Sequence, residues 1–212
     1  AGELRETLDE NETGVYARSG SWREAFKQIP PAYAKLGETY ALFSRNIPAP
    51  KGVTLSVGMS YGGISGIFIP FTGEANVNID APDLLLLASA AHESAHLMGV
   101  AREDEANFVA YLACAASGDA GMRYSGVMLA LIHCGNALAG ADSARYGQLW
   151  DTYSAAMARD LTANSAYWDS FEGPVEETVT RINDSYLKAN AQQDGVKSYG
   201  RMVDLMLAYY NA

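Results

Sequence analysis

The sequence predicts an α+β domain, mainly helical, with a small N-terminal β-sheet placed ahead of one buried helix. Three observations carry the prediction. Between residues 53 and 79, short β-branched runs are separated by glycine turns. After residue 81 the apolar residues recur at helical spacing and no strong strand signal follows. The first helix after the strands carries His92-Glu93-Ser94-Ala95-His96, and two histidines four apart project from one helix face, about 40° apart around the axis. That is the spacing two imidazoles need to grip one metal ion, with Glu93 about 100° round from His92, beside the ion rather than on it.

Taken in order, residues 1–20 are polar and turn-rich, with no clear period. A short helix is expected over 21–28. A longer one is expected over 31–43, with Tyr33, Leu36, Tyr40 and Phe43 on an apolar stripe. Asn46 to Gly52 is a connector rich in proline. Strands are expected over 53–57, 64–69 and 75–79, the last alternating cleanly between apolar and polar side chains. A strand just ahead of a metal helix suits pairing with an extended peptide, although an ordinary sheet edge blunted by polar residues reads the same way.

The metal helix is expected over 83–98. It is apolar nearly all round, which marks it as buried. Asp80 and Pro82 supply its start signal and Gly99 its stop. Two imidazoles and a carboxylate on a buried helix need partners, and a zinc ion is one. Further helices are expected near 103–117, 124–139, 142–162, 174–191 and 198–210, all within a single domain spanning 1–212.

A third ligand is sought in Arg102-Glu103-Asp104-Glu105-Ala106-Asn107-Phe108. Gly99 permits a sharp turn that swings the next helix back beside the first. Glu103 is preferred because Asn107 lies one turn on along the same face, where it can orient a ligand from behind. Ala106 and Ala110 continue that face with small side chains. Glu105 shares a face with Phe108, Val109 and Leu112, and Asp104 and Glu105 also suit a helix N-terminus as acids favoured by its dipole. His133, the one histidine outside the motif, falls level with Asn107 if the two following helices form a hairpin. It is then a candidate to stand behind the ligands, or a core histidine.

His92-Glu93-x-x-His96 followed by Glu103-x-x-Ala106-Asn107 resembles the glutamate-zincin pattern, in which the third ligand begins an E-x-x-x-[DN] helix. A metzincin would place its third histidine at Arg102, which cannot bind a metal. More closely, the chain resembles an uncharacterised bacterial family of membrane-anchored, zinc-peptidase-like proteins, a domain of unknown function. The likeness runs through Gly62-Gly63-Ile64-Ser65-Gly66 and Pro70 to Asn78, and resumes at Arg123-Tyr124-Ser125-Gly126. It continues at Asn183 to Asn190 and Gly195 to Arg201. It implies an extracytoplasmic domain tethered to a membrane at its N-terminal side, and no substrate comes with it; the glutamate-zincin likeness implies a zincin-like fold, a Zn²⁺ cofactor and a peptide or protein substrate. Tyr124, Tyr186, Tyr199 and Arg201 lie in the matching segments and are candidates for the donor that faces a developing oxyanion.

The formal charge of -10 and a pI near 4.7 argue against nucleic acid or an anionic membrane surface as partner. No stretch is expected to approach the roughly 18 apolar residues of a membrane span, and no signal peptide is expected in this sequence. The start at Ala1-Gly2-Glu3 reads as that of a soluble region excised from a membrane-anchored chain. In the expected hairpin Cys114 lies level with about residue 126 and about 12 Å from Cys134, beyond disulfide reach; both are expected free and buried. The expected function is zinc-dependent peptide hydrolysis through a water activated by Glu93. The alternative is a catalytically inactive, metal-containing binding or sensor domain at the cell surface.

Overall fold

The structure is a computed structural model that describes the backbone of residues 1–189 and 200–211, with side-chain surroundings for 1–181 and 201–211. It is mostly helical, with one three-stranded sheet. In chain order the elements are α1 (Gly2–Arg5), α2 (Trp22–Phe26), α3 (Ile29–Thr39), a 3₁₀ turn (Ala41–Phe43), β1 (Lys51–Val53), α4 (Ser56–Ser60), β2 (Gly66–Ile69) and β3 (Glu74–Asn78). There follow α5 (Asp83–Leu97), α6 (Glu103–Ala116), α7 (Ala120–Ala141), α8 (Ser143–Trp150), α9 (Ala155–Asp169), α10 (Pro174–Ala189) and α11 (Gly200–Asn211).

The sheet order is β1-β3-β2, with β1 parallel and β2 antiparallel to β3. This corrects the reading of the 75–79 strand as an edge: β3 is central, and β2 and β1 hold the edges. The expected strand over 53–57 is also corrected, since only Val53 of it lies in β1 and Ser56 opens α4. The β-branched run is overridden by Ser56, whose hydroxyl donates to the Val53 carbonyl (2.7 Å) and accepts from the Ile79 amide (2.8 Å). A side chain that partners the backbone in this way lets the chain turn where a ladder would otherwise run.

Helix α5 is the centre of the molecule. Leu84, Leu86, Leu87, Ala88, Ala90, Ala91 and Ala95 are all buried, and each leucine so placed contributes about 1.5–3 kcal/mol. Helix α3 packs against α5 and α6, and the Tyr33 hydroxyl donates to the Ala91 carbonyl at 2.6 Å. The turn after α5 uses Gly99 at φ 100°, a left-handed conformation glycine adopts without strain. Asp80 does not cap α5; its carboxylate accepts from the Tyr167 hydroxyl, and Asp83 in the first turn of the helix is held by Arg18.

Helices α6 and α7 form the expected hairpin, with Cys114 against Gly126, where a Cβ would collide with the Cys114 side chain. Both thiols are free; Cys114 is buried, whereas Cys134 is only half-buried. Helix α7 is longer than expected, because Asp119 caps it through the Met122 amide. It corrects the expectation that no stretch approaches a membrane span: by length and composition α7 qualifies, with mean hydropathy 1.2. It packs against α5, α6 and α8, with its buried residues mostly in the N-terminal half. The single helix expected over 142–162 is two, because Asp142 and Ser154 each accept an amide three residues on and start α8 and α9 separately.

Candidate metal centre

The site is built from two helix segments joined by the Gly99 turn. Register on α5 brings His92 and His96 to one face, and the turn places Glu103, first residue of α6, opposite them. Ala106 and Ala110, both fully buried, let α6 approach closely. The His92 and His96 Nε2 atoms are 2.9 Å apart. The Glu103 carboxylate stands 3.1 Å from the first and 3.5 Å from the second. Donors held at zinc's usual bond lengths in a tetrahedron are about 3.3 Å apart, and these three separations bracket that value.

The tautomers follow from the outer partners. His92 Nδ1 donates to the Asn107 Oδ1 at 2.8 Å, and His96 Nδ1 donates to the Val100 carbonyl at 2.7 Å. Each neutral ring therefore presents a lone pair at Nε2, and two lone pairs facing each other at 2.9 Å form no hydrogen bond. Add a carboxylate, and the cluster requires positive charge at its centre. A metal ion can supply that charge, and so can protons on the Nε2 atoms, which would then donate to Glu103. Burial pushes the Glu103 pKa up, but hydrogen bonds and charge from His92 and His96 hold it well below the ordinary carboxylate range. Burial lowers the His96 pKa, yet hydrogen bonding to Glu103 and its charge raise it overall. The donor set, two imidazoles and one carboxylate, suits zinc rather than calcium or magnesium.

Glu93 lies beside the cluster, 5% exposed. Burial raises its pKa, against the lowering effect of His92 and His96. Strand β2 roofs it. The Phe68 amide donates to its carboxylate, the Phe68 ring stacks on His96 with centroids 6.5 Å apart, and Gly66 lies directly against its side chain. Nothing in the spacing of the sequence pointed to Gly66, Phe68 or the Val100 carbonyl; only the glycine turn before Val100 hinted at the last.

The structure brings together His92, His96, Glu103 and Asn107 as the sequence suggested. Glu105 points elsewhere: it is about half-exposed and pairs with Arg102 at 3.5 Å. His133 is partly buried on α7, and burial followed by repulsion from the charge of His92 lowers its pKa to about 4. Tyr124 is not presented to the cluster. Its hydroxyl donates to Asp160 at 2.7 Å, in a second core with Tyr16, Leu84, Met128 and Met157. Arg201 is exposed on α11. The Tyr186 side chain and the whole of Tyr199 lie outside the described residues.

A helical α+β domain whose buried central helix joins the next in a His-His-Glu cluster, with a glutamate alongside, defines the class. The chain belongs to the family described as protein of unknown function (DUF3810), whose model matches residues 1–207. No curated protein and no solved structure matches it.

Proposed function

We propose that the chain is a gluzincin-like, zinc-dependent metallopeptidase, with Zn²⁺ held by His92, His96 and Glu103. The observation that carries this reading is the convergence of the two Nε2 lone pairs on the Glu103 carboxylate, with both Nδ1 atoms already engaged. Bound there, zinc would supply Lewis acidity and would lower the pKa of a water to about 7. Glu93 does the proton transfer. Its carboxylate takes a proton from the attacking water and delivers it to the nitrogen of the leaving amine, and a pKa raised by burial suits both directions.

Strand β2 supports an extended peptide as substrate. The Asn78 amide donates to the Ser65 carbonyl at 2.9 Å, so residues 65, 67 and 69 turn their backbone groups toward β3. Gly66 and Phe68 therefore turn theirs away from β3, beside Glu93; with the Phe68 amide engaged by Glu93, the Gly66 groups and the Phe68 carbonyl are where a peptide can add as a strand. We place the domain outside the cytoplasm, tethered to a membrane, on the strength of the resemblance alone.

The rival is a catalytically inactive, metal-containing binding or sensor domain, favoured by the near-complete burial of Glu93. Metal analysis and cleavage of a peptide library by wild type and Glu93→Gln separate the two. A stoichiometric transition metal in both proteins, with cleavage by wild type alone, supports the peptidase. Metal without cleavage in either supports the rival, and no metal even on titration overturns both.

A further inference from the structure

We infer that Gly66 is a positioning residue for Glu93: the absence of a side chain at this point of β2 sets where the carboxylate stands. The inference rests on the peptidase reading for its functional consequence, but the contact itself does not. A Cβ built at Gly66 would lie 2.6 Å from both Cγ and Oε1 of Glu93 and 2.9 Å from its Cδ. The backbone angles of Gly66 do not demand a glycine, since it is not among the positive-φ glycines. Close approach demands it. Gly66 is paired with Val77 of the central strand, and Val77 is fully buried, so β2 cannot easily retreat. The Glu93 side chain is the flexible partner, and an added methyl would displace its carboxylate.

Two further contacts fit this role. Two residues along β2 and on the same face, Phe68 donates its amide to the Glu93 carboxylate and stacks its ring on His96. The carboxylate is thus held from below by α5 and from above by an edge strand without a side chain at the point of contact. The metal-binding atoms lie outside this contact, because His92, His96 and Glu103 are positioned by Asn107, Val100 and one another.

The test compares four proteins: wild type, Gly66→Ala, Glu93→Ala and the double variant. Truncating residue 93 at Cβ removes all three Glu93 atoms that lie within 3 Å of the added methyl, so the double variant has room for the alanine. Gly66→Ala should lower kcat on a peptide substrate by about 30-fold or more, since displacement of a reacting group by 1 Å costs on the order of 10²-fold. Its zinc Kd, from competition with a chelator, should stay within about threefold, because the ligands and their partners are untouched. In the Glu93→Ala background the same change should cost less than about threefold in the residual kcat, a coupling that independent sites do not show. A kcat for Gly66→Ala within threefold of wild type, equal losses in both backgrounds, or a parallel loss of zinc affinity would overturn the inference.

If wild type cleaves nothing, the peptidase reading fails by itself, and thermal unfolding of the same four proteins decides the contact. Gly66→Ala should lower Tm in the otherwise wild-type chain by several degrees, about the effect of overpacking a buried site. It should have little effect in the Glu93→Ala background. Equal Tm losses in both backgrounds, or failure of both alanine variants to fold, would overturn the contact. Failure of Gly66→Ala alone, with the double variant folded, would support it.

Discussion

His92 gives its Nδ1 proton to the Oδ1 of Asn107 at 2.8 Å, so a residue of α6 decides which nitrogen of the α5 histidine carries the free lone pair. Asn107 is itself 5% exposed and has one hydrogen-bonding partner that matters here. Asn107→Ala should weaken zinc binding by about 10–100-fold, the usual cost of losing such a partner. Titration of the chelator-treated protein measures this. Unchanged affinity would mean that the ring keeps its orientation without the amide.

Glu103 and Glu105 are two apart on α6, so they point about 160° from each other. Glu103→Ala should cut zinc affinity far more than Asn107→Ala does, whereas Glu105→Ala should leave it nearly intact. Glu105 is about half-exposed and pairs only with Arg102 among the contacts described. Release of the metal by Glu105→Ala, with Glu103→Ala retaining it, would reverse the ligand assignment.

His133 makes acid stability testable. Its pKa is lowered from 6.5 to about 4. Between these values the unfolded chain binds a proton that the folded chain does not, so stability falls as pH drops through this window and levels off below it. His133→Leu removes that component. With zinc removed from both proteins by chelation, the urea midpoint of the variant should fall less than that of wild type between about pH 6.5 and about pH 4. Parallel slopes would show that His133 titrates normally in the folded state.

The second core depends on an ion pair. Arg5 donates Nε to Asp160 at 2.6 Å, and both side chains are essentially buried. Asp160 also accepts from the Tyr16 amide and the Tyr124 hydroxyl, each at 2.7 Å. Asp160→Ala leaves the guanidinium buried without its main partner and should cost about 3–5 kcal/mol. Tyr124→Phe removes one hydrogen bond to a charged group and should cost about 1.5–3 kcal/mol. Denaturant unfolding measures both. Zinc affinity of folded Tyr124→Phe should equal that of wild type; a large loss would place Tyr124 in the metal centre after all.

The sequence by itself determined the α+β class, the burial of α5 and the convergence of His92 and His96. These depend on helical period and apolar pattern, which are local properties of the backbone. It also favoured Glu103 and Asn107, because residues four apart on a helix share a face and Gly99 could only be a turn. The identity of the edge strand was decided by tertiary structure alone, since strand order is a long-range choice that alternation within β3 does not encode. The same is true of Gly66 against Glu93 and of Tyr124 on Asp160, contacts between segments 27 and 36 residues apart. The helix breaks at Asp142 and Ser154 had a local cue, their capping side chains, but an uninterrupted apolar pattern masked it. Where a side chain meets a distant element, the outcome depends on how whole helices and strands pack, and a single sequence carries that information only through the fold.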